Sequence, residues 1–208
     1  INLTIEKRPY HAVYFGPYPG LDYRAARPFE RWQAPHLIRS MKEWLTQNPP
    51  RLELATLALE ELRLRDSKVL NAEMVFADCE LTPIEWLEPA RRAVVQAFPK
   101  SWDGWAQVKR SGGSVYVILR DGYSTENGTY GAYVGSTKLT LEKRFMEHRQ
   151  SSRAGRGLQA HGIEPLFSLC MPFLRKAPLA RASLLDWETR LHHALAEVIP
   201  KVGGDVVS

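Results

Sequence analysis

Between Gly112-Gly113 and Asp121-Gly122 stands the run Ser114-Val-Tyr-Val-Ile-Leu-Arg120, the most constraining feature of the chain. Val115, Val117 and Ile118 are β-branched, and residues 115–119 offer apolar or aromatic side chains to both faces. Such a run reads as a central strand, buried on its two sides. Turn dipeptides follow at Asp121-Gly122 and Asn127-Gly128, and Tyr130–Val134 reads as a second strand. The pair is a hairpin with a long loop. After Gly135-Ser136-Thr137 a helix is expected from about Thr140 to Gln150. Leu166–Phe173 reads as a third strand, and Ala180–Val198 as a long last helix ended by Pro200 and Gly203-Gly204. The expected fold is α+β: a small three-stranded sheet flanked by helices.

Ser111-Gly112-Gly113 divides the chain into residues 1–110 and 111–208. The first part reads as mainly helical. Its first thirty residues are rich in Pro, Gly and Tyr, with one strand expected at Ala12–Phe15. His36–Leu45 is amphipathic, with Leu37, Met41, Trp44 and Leu45 on one face. Pro49-Pro50 stops it. Leu52–Leu64 is a second helix, dense in Leu, Ala and Glu. Val69–Ala77 reads as a strand. Ile84–Phe98 reads as a helix capped by Thr82, with Pro83 in its first position. Trp32, Trp44, Trp86, Trp102 and Trp105 are read as core or interface residues, with a DNA-reading or partner-binding module as the functional alternative.

The 208 residues are 44% hydrophobic and 25% charged, ordinary for a globular chain. No apolar run is long enough to cross a membrane, and no signal peptide is recognised at the start. The two cysteines, Cys79 and Cys170, form neither a disulfide framework nor a C-x-x-C metal pattern, so a reducing cytoplasm is the expected location. The net charge of +5 and pI of about 9.3 favour a polyanionic partner. Lys143, Arg144, Arg149, Arg153 and Arg156 fall within fourteen residues. A nucleic-acid contact and a solvated helix face account for that run equally well.

Four observations bear on chemistry. On the last helix Leu184, Glu188, Leu191 and Leu195 share a face, and a carboxylate in an apolar stripe is costly unless paired, protonated or metal-bound. A helix edge, or a pair with His192 one turn on, is the plainer account. Arg144 and His148 are four apart and leave one helix face. One is a bidentate phosphate binder and the other can move a proton near neutral pH, which suits phosphodiester cleavage. A surface helix in which Arg144 pairs with Glu147 or Glu142 is the alternative. Tyr116 and Tyr133 sit on adjacent strands, where aromatics are common.

The ordered set Ser114-Val115-Tyr116, Tyr133-Val134-Gly135, Arg144-x-x-x-His148 and a helix bearing Glu188 resembles the GIY-YIG nuclease family over roughly 114–202. Ser114 stands where the family has its first glycine, and the stretch Pro200–Gly203 lacks the family's Asn. The resemblance implies a metal-dependent DNA endonuclease in which Glu188 is the sole protein ligand of one divalent ion, Mg2+ or Mn2+. It implies Tyr116 as general base, Arg144 stabilising the transition state, and Tyr133 and His148 supporting phosphate binding and proton transfer. Lys143, Arg149, Arg153 and Arg156 are expected to follow the DNA backbone. All five central residues should then converge on one surface. A restriction-type enzyme is the favoured role, with a mobile-element nuclease, a delivered toxin, and a non-catalytic nucleic-acid binder as alternatives. No phosphate loop is present, so ATP is not implied. Oligomeric state stays open, a dimer included.

Overall fold

A computed structural model of the protein describes residues 16–23, 25–103, 113–123, 129–150, 157–169 and 181–204. The expected strand at Ala12–Phe15, and Trp105, Arg153 and Arg156, lie outside these residues. The fold is α+β, a mixed four-stranded sheet with helices against it. Strands β1 (Ser114–Arg120) and β2 (Gly131–Thr137) pair antiparallel, with Tyr116 opposite Gly135 and Ile118 opposite Tyr133. Strand β3 (Gly162–Pro165) pairs antiparallel on the far side of β1. Strand β4 (Val202–Gly204) runs parallel to β2 and completes the order β3-β1-β2-β4. The expected central position of β1 is therefore realised, and its side chains at 115–120 are all buried.

Two details of the sheet differ from the expectation. There are four strands among the described residues rather than three, because the chain after the last helix returns beside β2. A strand falls at 162–165, before the expected Leu166–Phe173, and residues 166–169 of that span are not strand. Leu166 still donates its N–H to the Val117 carbonyl at 2.9 Å. The next two amides are captured elsewhere: the Glu53 carboxylate accepts from Phe167 N at 2.9 Å and Ser168 N at 2.7 Å. A buried carboxylate competing for two successive N–H groups ends the ladder there.

Among the described residues four helices precede the sheet: α1 (Ala34–Leu45), α2 (Leu52–Leu64), α3 (Val69–Asp78) and α4 (Leu87–Ala97). Helix α2 matches its expected span and is buried nearly all round, as a helix so rich in Leu should be. Residues 69–77 are helical, not the expected strand. Ala72 and Phe76 are buried four residues apart while Leu70 and Met74 are exposed four apart, a helical period. Only Val69 and Val75 in that helix are β-branched. Helix α4 begins at Leu87, later than expected, with Trp86 as its N-cap. The residues before it are held by tertiary bonds instead: Ile84 N donates to Thr56 Oγ1 and Trp86 Nε1 to the Tyr130 carbonyl, each 3.0 Å.

Three further helices among the described residues accompany the strands: α5 (Leu141–Gln150), the single turn α6 (Leu158–His161), and α7 (Arg181–Ala196). Alternation along β1 and β2 separates two faces. Val115, Val117, Leu119, Ala132 and Val134 join one core with Leu184, Trp187, Leu191 and Leu195 of α7 and with the apolar residues of α1–α4. Tyr116, Ile118 and Tyr133 face the other way, into a small cluster with Leu158, Leu141 and Phe145. Helices α5 and α6 cover that second face.

Candidate active site

The small cluster is set up by one glycine. Gly135 follows Tyr133 by two residues, so it shares a sheet face with Tyr133 and stands opposite Tyr116. A Cβ at Gly135 would lie 2.6 Å from the Tyr116 hydroxyl and 2.9 Å from Tyr133 Cε1. Only glycine lets the two phenol rings close over this point, which gives the Tyr-x-Gly spacing a physical reason. The rings lie 6.5 Å apart, centroid to centroid.

Helix α5 supplies the rest. Thr140 caps it, its Oγ1 accepting from Lys143 N at 3.2 Å. Leu141 and Phe145 pack on the tyrosine cluster, and that docking turns Arg144 and His148 inward. His148 is buried, at 1% exposure, and its Nε2 is 2.6 Å from the Tyr116 hydroxyl. Its ring also meets Tyr133 edge-on at 5.6 Å. Arg144 donates from Nε to the Tyr116 oxygen at 3.3 Å and pairs through a terminal nitrogen with Glu147 at 3.1 Å. Tyr116, Tyr133, Arg144 and His148 therefore form one contact set. Three of them are sealed from solvent, and Arg144, its side chain one third exposed, is the member that solvent reaches.

The electrostatics follow from burial. Desolvation first, and the Arg144 charge second, push the His148 pKa down to about 4. The imidazole is neutral at pH 7, and with its proton on Nδ1 it accepts a hydrogen bond from the Tyr116 hydroxyl. Burial opposes the charge on Arg144, but its bonds to Tyr116 and Glu147 outweigh that and hold its pKa above the ordinary value.

Glu188 arrives from the other side of the sheet. It is buried at 4% exposure on α7, whose apolar stripe packs in the larger core. Its height can be read from its neighbours. Leu184 lies 3.1 Å from where a Cβ on Gly113 would sit, and His192 lies 3.3 Å from one on Gly204. Gly113 precedes the Ser114–Thr137 pair, and Gly204 pairs with Val134. Eight helical residues rise roughly 12 Å and four strand residues roughly 13 Å, so the two ladders keep step. Glu188, midway, is level with Gly135 and Ser136, beyond the end of β4. There the edge of β2 is not paired by β4. By this ladder Glu188 stands at the height of the Tyr116–Gly135 pair but on the opposite face from α5, so the expected convergence on one surface is met by Tyr116, Tyr133, Arg144 and His148 and not by Glu188. Burial and the adjacent His193 lower the pKa of His192, against a hydrogen bond of the ring with the Val202 backbone.

The basic residues are used unequally. Lys143 is exposed. Arg149 is half-buried and donates to the Gly162 carbonyl at 3.0 Å, tying α5 to β3. The Arg144–Glu147 pair was among the readings of the sequence, whereas the packing role of Gly135 and the buried acids Glu53 and Glu164 were missed. For Glu53 the signal was present, an acid within the apolar run Leu52–Leu59. A cleft of about 530 Å³ lies elsewhere, between α2, α4 and residues 26–28. Its walls carry ions paired with one another, Arg27 with Glu61 and Arg91 with Glu60. Among the described residues no three His, Cys, Asp or Glu side chains group as a metal site. No described helix is long and apolar enough to cross a membrane. Comparison with protein-family models, curated proteins and solved structures finds no match to this chain.

Proposed function

We propose that the chain is a divalent-metal-dependent DNA endonuclease of the GIY-YIG type, with Tyr116, Tyr133, Arg144 and His148 at its reaction centre on one sheet face and Glu188 reaching that centre from the other face past the edge of β2. The observation that carries the reading is the hydrogen-bonded chain from Arg144 through the Tyr116 hydroxyl to the neutral His148 imidazole. A phenol held between a cation and a base can take a proton and pass one on. The attacking water gives its proton to the Tyr116 oxygen as the Tyr116 proton moves to His148 Nε2. Water oxygen bonds to phosphorus, the bond to the 3′ oxygen breaks, and that oxygen is protonated from solvent. The products are a 5′-phosphate and a 3′-hydroxyl. Arg144 neutralises charge growing on the phosphoryl oxygens, and its partial exposure leaves it within reach of substrate.

Glu188 would hold the metal. A buried carboxylate at the height of the Tyr116–Gly135 pair offers a hard oxygen, and Mg2+ or Mn2+ beside a phosphate needs few protein ligands. When bound, the ion supplies Lewis-acid stabilisation of the phosphoryl and leaving oxygens. The helical first half is proposed to read DNA sequence, as in a restriction-type enzyme. Mobile-element and toxin roles use the same centre and differ in what the ends look like.

Incubation with supercoiled plasmid tests the reading. Nicking or linearisation is expected with Mg2+ or Mn2+ and none with EDTA, and Glu188→Ala is expected to abolish cutting while sparing binding in EDTA. Arg144→Ala should slow cutting on the order of 10²-fold or more. Fixed ends would support the restriction role. Binding without cutting in any metal overturns the enzyme and leaves a nucleic-acid-binding protein.

A further inference from the structure

We propose that His192 joins Glu188 in holding the divalent ion, so that the centre binds Mn2+ through one carboxylate oxygen and the Nδ1 nitrogen of one imidazole. The inference rests on the reading of Glu188 above and changes it, since Glu188 is no longer the sole protein ligand. Glu188 and His192 are four residues apart on α7, so their side chains leave the same face one turn from each other. A helix presents two ligands to a single ion by this spacing. His192 Nδ1 is buried and has no hydrogen-bond partner. A buried ring nitrogen without a partner is costly, and a divalent ion beside Glu188 satisfies it. Gly204 leaves room for the ring, since a Cβ there would lie 3.3 Å from His192 Cδ2. His193 next to it is exposed. A nitrogen ligand shifts the site away from Mg2+, which takes oxygen, toward Mn2+ and later divalent ions. Two protein ligands leave most of the coordination shell to water and phosphate oxygens.

The test uses the full chain and Mn2+ alone. Binding is followed by electron paramagnetic resonance, and the ligand identity by spin-echo modulation from nitrogen. Wild-type protein is expected to show a directly coordinated imidazole nitrogen. His192→Gln should lose that signal and bind Mn2+ on the order of tenfold more weakly, and His193→Gln should keep both. The wild-type spectrum is decisive even if a variant folds poorly. Bound Mn2+ without imidazole nitrogen, or a signal that survives His192→Gln, overturns the inference. In that case loss of binding in Glu188→Gln would still uphold Glu188 as the ligand. Unchanged Mn2+ binding by Glu188→Gln overturns both.

Discussion

At the scale of single residues, the candidate site depends on how little room it has. Gly135→Ala would put a methyl group 2.6 Å from the Tyr116 hydroxyl, so the phenol or the strand must move. Overpacking of this kind costs about 1–3 kcal/mol, visible in a denaturant titration. The effect on cleavage should be larger, roughly 10²-fold, because displacement of about 1 Å breaks the Tyr116–His148 bond. Cleavage at the wild-type rate would show that the bond is not used. His148 yields a second prediction. Its folded pKa of about 4 lies below the ordinary value of 6.5, so between those values the unfolded chain binds more protons. The stabilisation from the neutral imidazole is complete above about pH 6.5 and is lost as pH falls to about 4. The loss is on the order of 3 kcal/mol. Urea midpoints measured from pH 7 to 4 should fall more steeply for wild type than for His148→Gln. Equal slopes would mean that the ring is not held neutral by burial.

The helices and strands show which signals a sequence carries openly. Helix α2 and strand β1 have the expected bounds because their patterns are set by their own side chains: Leu-rich on all sides in one, apolar on both faces in the other. Tyr116, Tyr133, Arg144 and His148 were legible for the same reason, as period-2 and period-4 spacings bring them to one side. The position of β3 was not legible, since it depends on Glu53, more than a hundred residues away in sequence, taking two amides. The face from which Glu188 approaches depends on how α7 packs, which no local pattern states. Glu164 is part of the same device as Glu53. From β3 it accepts the Glu53 N–H at 2.8 Å, capping α2 across the molecule. Burial, and then the Glu53 charge, push its pKa up to about 8. The folded state keeps a proton that the unfolded chain releases near 4.5, so this group's contribution is complete below that and declines as pH rises to about 8. Glu164→Gln keeps an acceptor without the charge. It should remove a decline of a few kcal/mol between about pH 5 and 8. The His148 and Glu164 slopes oppose each other near pH 5–6, so each is measured against its own variant.

At the scale of the whole molecule, the two sequence halves share one hydrophobic core. Trp187 of α7 stacks on Phe98 at 5.4 Å and meets Trp102 edge-on at 4.7 Å. Arg190 lies over the Trp102 ring at 4.9 Å and donates to the Ala97 carbonyl at 2.6 Å. Trp86 reaches the Tyr130 carbonyl before β2, and Glu53 terminates the ladder after β3. The face of the sheet opposite the tyrosines thus looks onto α7, and α7 in turn onto the first half. Residues 111–208 alone would expose Trp187 and leave the Phe167 and Ser168 amides without their acceptor. Stripping a large aromatic of its partners costs about 3–5 kcal/mol, and each orphaned buried amide about 1–3 kcal/mol. That total is comparable to the whole stability of a small domain. The fragment 111–208 is therefore expected to lack a cooperative unfolding transition and to show a Trp187 emission maximum close to that of the denatured chain. Adding residues 1–110 as a separate chain should restore both, because the missing surface is a packed interface rather than a covalent link. A fragment that melted cooperatively on its own, with buried tryptophan emission, would show that the second half carries a sufficient core. The Tyr116–His148 site could then be studied apart from whatever the first half reads.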